Sequence, residues 1–156
     1  VVTGVQTCAL PISVVVFAAL VPVYYTMTVQ APLNALDIVA VALALAAILL
    51  EGQADRQLRH FMAHRREGEL LRSGLWAWSR HPNYFGEILF WWGLYALALA
   101  ARGELWWTVV GPAAMTLLFV FISVPLMEKR MVARRPRYRE QVKGISLLFL
   151  WPPRHR

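Results

Sequence analysis

An uninterrupted apolar run, residues 38–50, contains only alanine, valine, leucine and isoleucine. Three further stretches have the same character, residues 14–29, 84–101 and 105–127, and Glu87 is the only charged residue within them. A helix needs about 20 mostly apolar residues to cross a bilayer core, whereas soluble cores rarely group apolar residues in uncharged blocks. We therefore expect an all-α integral membrane bundle with about four transmembrane helices.

Charge divides the rest of the chain. All but one of the 16 lysine and arginine residues lie in the 51–82 loop or after residue 127, and Arg102 is the exception. Lysine and arginine favour the cytoplasmic side of a membrane. The 51–82 loop and the C-terminal tail are therefore predicted to be cytoplasmic, and the 30–37 link and the turn at residues 102–104 to face the opposite side.

The net charge of +7 would suggest nucleic-acid binding on a soluble domain. Here the positive residues flank apolar blocks, so attraction to anionic lipid is the simpler interpretation and no nucleic-acid partner is expected. Residues 1–13 resemble a translated sequencing adapter, which would make Cys8 meaningless. On that interpretation the natural domain covers residues 14–156 and lacks an upstream part.

The segment SRHPNYFGE, residues 79–87, carries the most chemical information. Pro82 suits the first turn of a helix, whose free N–H groups favour a phosphate or a carboxylate. Arg80, His81 and Asn83 crowd this point, although an ordinary interfacial helix start would contain similar residues. Glu87 would lie about one turn inside the span, where an ionisable side chain is costly and usually faces a protein interior.

Two other groups invite a functional interpretation. Glu51, Asp55 and Arg59 are spaced i, i+4, i+8 and share one helix face, which could bind ribose hydroxyls and a phosphate or could be a solvated face. After the last apolar block come Glu128 and a basic run that could bind lipid phosphate or a polyanionic cofactor, with a positive-inside anchor as the alternative. That run contains Lys129, Arg130, Arg134, Arg135, Arg137, Tyr138 and Arg139.

His60 and His64 have a spacing that could hold a metal ion, but no third ligand is evident, so no metal site is predicted. The sequence contains no GxGxxG, no Walker loop and no HExxH motif. Any nucleotide would therefore be held outside a Rossmann fold.

Residues 74–93, GLWAWSRHPNYFGEILFWWG, resemble a bacterial membrane-protein family of unknown function that is grouped with the C-terminal domain of steroid 5α-reductases. Residues 135–138 (RPRY) and 151–154 (WPPR) fit the same family, and the resemblance covers about residues 40–154. Sterol reductases carry a similar HPNY-x-G followed by an acid. Isoprenylcysteine methyltransferases carry a related HP-x-Y-x-G, typically without the combination of asparagine and acid. The presence of Asn83 and Glu87 therefore favours a reductase.

The resemblance implies an NADPH pocket on the cytoplasmic side. Asp55 and Arg59 match positions near the nucleotide, and Asn83 and Glu87 match positions near the nicotinamide. Glu51 replaces an amide residue, and Glu128 replaces a tyrosine of the steroid enzymes. The full set of expected cofactor-binding residues is Glu51, Asp55, Arg59, Arg80, His81, Asn83, Tyr84, Glu87, Glu128, Arg137 and Tyr138.

These features together predict an NADPH-dependent reductase of an unsaturated, lipid-like substrate in the bacterial inner membrane. Its proton donor, an acid with a tyrosine, would lie on helices upstream of this sequence, so the present chain would be a fragment. The alternatives are a lipid methyltransferase that uses S-adenosylmethionine and a non-catalytic membrane module. The sequence leaves the oligomeric state open.

Overall fold

The computed structural model describes residues 3–28, 30–66 and 68–152, with side chains from Ser13 onward. The predictions that concern the side chains of Cys8 and Arg154 lie outside this part. The described chain is mostly helical and contains no β-strand, apart from a single bridge between Ser79 and Ser146. The α-helices are Thr3–Thr28 (α1), Ala35–His64 (α2), Pro82–Ala101 (α3), Val110–Leu118 (α4), Val124–Arg134 (α5) and Tyr138–Gln141 (α6).

Three helical runs are long and apolar enough to cross a membrane: Ala35–His64, Pro82–Ala101 and Gly103–Arg134. The first of the four predicted spans corresponds to a shorter apolar helix, Ser13–Thr28. Many apolar side chains on these helices face outward; Ile38 is 73% exposed and Phe121 is 69% exposed. Apolar exposure on this scale is what lipid contact requires. The all-α membrane architecture predicted from the sequence is confirmed.

Helix α2 continues from the apolar run into the polar stretch, so Glu51, Asp55 and Arg59 lie on one helix as predicted. Its start is fixed by a reciprocal cap. Asn34 Oδ1 accepts a hydrogen bond from the Leu36 N–H at 2.8 Å, and the Asp37 carboxylate accepts one from the Asn34 N–H at 2.7 Å. Such capping boxes satisfy N–H groups that the first helical turn leaves free.

The last apolar block, residues 105–127, forms one continuous helical run although it contains Gly111, Pro112 and Pro125. A 3₁₀ helix, Gly103–Val109, replaces the tight turn expected at residues 102–104. Pro112 then lies in the first turn of α4, and Pro125 lies in the first turn of α5. A π-helical turn, Phe119–Ser123, joins these two helices. Proline is tolerated in a first helical turn, so the run changes helix type without ending.

The described chain forms two compact units. The first contains the residues up to Leu45 and Ile88–Leu118. Here small residues bring helices close together: a Cβ added to Gly111 would lie 2.7 Å from Ala19 Cα, and one added to Gly93 would lie 3.1 Å from the Ala44 backbone. Close backbone approach at glycine and alanine is a common way to pack membrane helices.

The second unit contains Ala46–Glu87 and the described residues from Phe119 onward. Its small-residue contact joins α2 and α3, because a Cβ on Gly86 would lie 3.0 Å from the Glu51 backbone nitrogen. The indole Nε1 of Trp76 donates to the Ala54 carbonyl at 3.0 Å and ties the loop after α2 to that helix. All the residues that the sequence singled out for cofactor binding belong to this unit.

Candidate functional site

The segment before α3 is held by the C-terminal residues. Ser79 is fully buried, and its hydroxyl donates to the Leu148 carbonyl at 2.8 Å while accepting from the His81 N–H at 3.1 Å. The Arg80 backbone N–H donates to the Ser146 carbonyl at 2.9 Å. Helix α3 then begins at Pro82, as predicted. The geometry of the motif thus depends on residues more than 60 positions later in the chain.

Arg80 is largely committed to protein acceptors. Its Nη1 donates to Glu128 Oε2 at 2.9 Å, its Nε to the Ile145 carbonyl at 3.2 Å and its Nη2 to the Val142 carbonyl at 3.3 Å. The guanidinium therefore fixes the chain around it. A role in phosphate binding would rest on its positive charge more than on free N–H groups.

Glu128 is the centre of the site. Besides Arg80, it accepts a hydrogen bond from the Tyr138 hydroxyl at 2.5 Å, and His81 Nε2 lies 3.1 Å from its Oε1. The Glu128 side chain is only 19% exposed. A half-buried carboxylate is stable when it is paired and hydrogen-bonded in this way. The sequence had placed Glu128, Arg80, His81 and Tyr138 in one site, and the structure brings these four side chains into contact. We call them the Glu128 cluster.

Burial and pairing change the acidity of two members of the cluster. Burial lowers the pKa of His81, and the neighbouring Glu128 carboxylate opposes this effect. Burial also raises the pKa of Tyr138, and its hydrogen bond to Glu128 raises it further. Both side chains are therefore held in their neutral forms, His81 with its proton on Nε2 when it donates to Glu128.

An aromatic stack adjoins the cluster. The rings of His81 and Tyr84 are nearly parallel, with an angle of 7° and centroids 5.4 Å apart, and Tyr84 also contacts Phe119 at 5.1 Å. The half-buried Glu87 and the exposed Arg130 both interact electrostatically with Tyr84. The predicted residues Tyr84 and Glu87 thus belong to the same neighbourhood as His81.

Asn83 lies in the first turn of α3 with its side-chain oxygen buried. No hydrogen-bond partner for Asn83 Oδ1 occurs among the residues described. Leaving a buried acceptor unpaired costs about 1–3 kcal/mol. A ligand that supplied an N–H group at this point would recover that free energy.

The predicted face of α2 is only partly enclosed. Glu51 and Asp55 are half-buried and interact electrostatically, and Glu51 lies against Gly86 of α3. Arg59 is exposed and makes no hydrogen bond or ion pair within the described chain. The structure thus places Glu51 beside the start of α3, whereas Arg59 is exposed.

A pocket of about 480 Å³ opens beside the Glu128 cluster. Its polar lining consists of Arg80, Glu128, Lys129 and Arg139. Lys129 and Arg139 belong to the basic run that was predicted to bind a phosphate or a polyanion, but they were not singled out as cofactor-binding residues, because a basic tail offers many equivalent candidates and no spacing separates them. Arg137, which was predicted, is exposed and does not line this pocket. Among the described residues, no group of three His, Cys, Asp or Glu side chains could hold a metal ion.

Fold and site together define a helical integral membrane protein with a buried, charged cluster where one span begins. The chain belongs to the family described as proteins of unknown function, DUF1295, whose profile matches residues 9–144. A stretch of 79 residues, 49% of this chain, is 37% identical to the uncharacterized protein C594.04c of Schizosaccharomyces pombe, strain 972. That stretch spans 22% of the yeast protein's length. No solved structure matches the chain.

Proposed function

We propose that this chain is the cofactor-binding part of a membrane-embedded, NADPH-dependent reductase that acts on an unsaturated, lipid-like substrate. The observation that carries the proposal is the buried, unpaired Oδ1 of Asn83. The carboxamide of a nicotinamide ring offers the N–H donor that this oxygen lacks. The resemblance of residues 74–93 to the steroid 5α-reductase group supports the same assignment.

Charge around the site fits the rest of the cofactor. Lys129 and Arg139, with Arg80, give the adjacent pocket a positive lining that suits phosphates. Glu51 and Asp55 offer carboxylates to ribose hydroxyls, and exposed Arg59 and Arg137 are free to approach phosphates from outside. We assign Asn83 and Glu87 to the orientation of the nicotinamide.

When bound, NADPH supplies a hydride to one carbon of an activated double bond, and a proton added to the adjacent carbon completes the reduction. The residues of this chain would hold and orient the cofactor while lipid-facing helices admit the apolar substrate. The Glu128 cluster serves as the rigid base of the site, because its hydrogen bonds fix the start of α3. In our proposal the 51–82 loop and the C-terminal tail face the cytoplasm of a bacterium, where NADPH is available.

Cofactor titration in neutral detergent tests the proposal. Energy transfer from the seven tryptophans to NADPH gives the binding signal. We expect saturable NADPH binding that NADP⁺ displaces and S-adenosylmethionine does not. The Asn83→Leu variant should bind NADPH about tenfold more weakly, as loss of one buried hydrogen bond implies. Binding of S-adenosylmethionine alone would identify a methyltransferase, and binding of neither cofactor would favour a non-catalytic module; both results contradict the proposal.

A further inference from the structure

A second pocket, of about 610 Å³, lies within the same unit on another face of α2. It is bounded by the end of α2 and by the loop that follows, and its polar lining consists of Gln53, Arg56, Gln57, His60, His64, Arg65, Glu69 and Ser73. Successive helix residues are about 100° apart, so His60 projects about 180° away from Glu51. This pocket is therefore separate from the face of α2 assigned to the cofactor.

Positive charge in this pocket exceeds negative charge. Arg56 and Arg65 are exposed, and neither has an acidic partner within the described chain. The lining carboxylate is that of Glu69, which accepts a hydrogen bond from the Arg66 N–H at 2.9 Å. Glu69 forms no ion pair with Arg56 or Arg65 in the described chain, and one carboxylate against two guanidinium groups leaves the lining positive.

Two histidines lie on the same wall. The rings of His60 and His64 lie 4.7 Å apart, and His64 Nδ1 is 2.9 Å from the His60 carbonyl oxygen. Because a carbonyl can only accept, Nδ1 of His64 carries a proton, and Nε2 of the neutral ring is left as an acceptor. The N–H donors suited to phosphate oxygens in this pocket are therefore chiefly those of the two arginines.

The pocket also begins at the depth of lipid headgroups. Arg56 is six residues beyond Leu50, the last residue of the apolar run, which corresponds to about 9 Å along the helix. The headgroup layer on each side of a bilayer is about 5–8 Å thick. Arg56 is therefore at the outer edge of that layer, while His64 extends further into water.

We propose that this pocket is a binding site for an anionic phosphate group, separate from the cofactor site. The phosphate belongs either to an anionic lipid headgroup or to a soluble phosphorylated ligand. Arg56 and Arg65 supply the charge and the main N–H donors, and His60 and His64 complete the polar wall. The inference does not depend on reductase activity, so its failure would leave the proposed function unaffected.

Thermal unfolding in a neutral detergent tests this site. Phosphatidylglycerol, phosphatidylcholine and inorganic phosphate are each titrated against the unchanged chain and against the double variant Arg56→Gln/Arg65→Gln. The matched control is Arg72→Gln/Lys143→Gln, which removes two exposed charges that line neither pocket. Equal unfolding temperatures without ligand would show that all three proteins are folded.

We expect phosphatidylglycerol to raise the unfolding temperature of the unchanged chain and of the control, with phosphatidylcholine much weaker. The pocket variant should require about thirtyfold more phosphatidylglycerol for the same shift, since it lacks two basic residues that each contribute about 1 kcal/mol of attraction at a membrane surface. Protection by phosphatidylglycerol alone identifies a lipid headgroup as the ligand, and protection by inorganic phosphate identifies a site that accepts a soluble phosphate. No protection by either compound, or equal protection of the pocket variant, would overturn the proposal.

Discussion

The hydroxyl of Tyr138 donates to Glu128 Oε1 over 2.5 Å, although the end of α5 separates the two residues in the sequence. The same oxygen lies 3.1 Å from His81 Nε2, so one carboxylate links the start of α3 to α6. Because the second oxygen of Glu128 pairs with Arg80, both halves of the carboxylate are occupied by the protein. Glu128 is thus primarily the residue that holds the site together.

Replacing Glu128 should therefore destabilise the fold. Glu128→Leu removes the acceptor shared by three side chains and leaves Arg80, whose side chain is 24% exposed, without its counterion. We expect a loss of about 3 kcal/mol in the free energy of unfolding, as for other ion pairs that lose one partner. Unfolding by sodium dodecyl sulfate, monitored by circular dichroism, measures it. Glu140→Leu, at an exposed position of α6, is the control, and a similar loss there would argue against a special role for Glu128.

Tyr138→Phe removes one hydrogen bond to a charged acceptor and should cost about 1.5–3 kcal/mol at neutral pH. The pKa of Tyr138 is raised above its usual 10.0 by burial and by Glu128. The stability from this group is therefore fully present below pH 10 and is lost as pH rises toward the folded-state pKa. Unfolding curves from pH 8 to 11 should fall more steeply for the unchanged chain than for Tyr138→Phe. Parallel curves would show that folding does not raise the pKa of the Tyr138 hydroxyl.

His81 should give the opposite pH dependence. Burial lowers its pKa below the usual 6.5, so the folded state binds fewer protons than the unfolded state. Its contribution is complete above pH 6.5 and is lost as pH falls through the folded-state pKa. His81→Gln should flatten the acid side of a plot of unfolding temperature against pH, from pH 7 to 4.5. An acid slope that is the same in His81→Gln and in the unchanged chain would contradict this assignment.

Gly86→Ala should be harmful because a methyl group there would lie 3.0 Å from the Glu51 backbone nitrogen and 3.1 Å from the Ala47 carbonyl. We expect a loss of about 1–3 kcal/mol, the usual cost of overpacking. Gly52→Ala makes the same chemical change in α2 with no atom within 4 Å. That control should gain about 0.5–1 kcal/mol from helix propensity. Thermal unfolding measures the change in stability of both variants. Changes of the same sign would contradict the close packing of Gly86 against α2.

Asn83→Leu should separate stability from binding. The change removes a buried acceptor that has no partner, so without cofactor the variant should unfold at the same or a higher temperature. In the presence of NADPH, the unchanged chain should gain more stability than the variant. A variant that loses stability without cofactor and keeps full NADPH binding would show that Asn83 has a structural role instead.

The membrane helices could be predicted from hydropathy because each apolar block is local and continuous. The extension of α2 past Leu50 was predictable because no proline interrupts it, and a single glycine, Gly52, does not by itself end a helix. The partners of Arg80 could not be predicted in detail, because Glu128 and the Ile145 carbonyl are far away in sequence and obey no period. Glu128 was instead indicated by its place beside the basic run and by the resemblance, and neither gave any sign of its ion pair.

The basic tail shows a second limit. Arg137 and Arg139 carry the same charge two residues apart, yet only Arg139 lines the pocket beside Glu128. Which of them lines the pocket depends on where α6 begins, and α6 begins at Tyr138, which is buried. Composition predicts a positive surface, whereas the choice of side chain requires the packed structure.

The attachment of Ser79 and Arg80 to residues 146–148 also has a consequence for biosynthesis. While residues 146–148 are still inside the ribosomal tunnel, the segment before α3 has no carbonyl groups to accept its hydrogen bonds. The spans can enter the bilayer during translation, but the Glu128 cluster must close afterwards. A nascent chain stalled before Leu148 emerges would therefore be inserted in the membrane and yet lack a finished site.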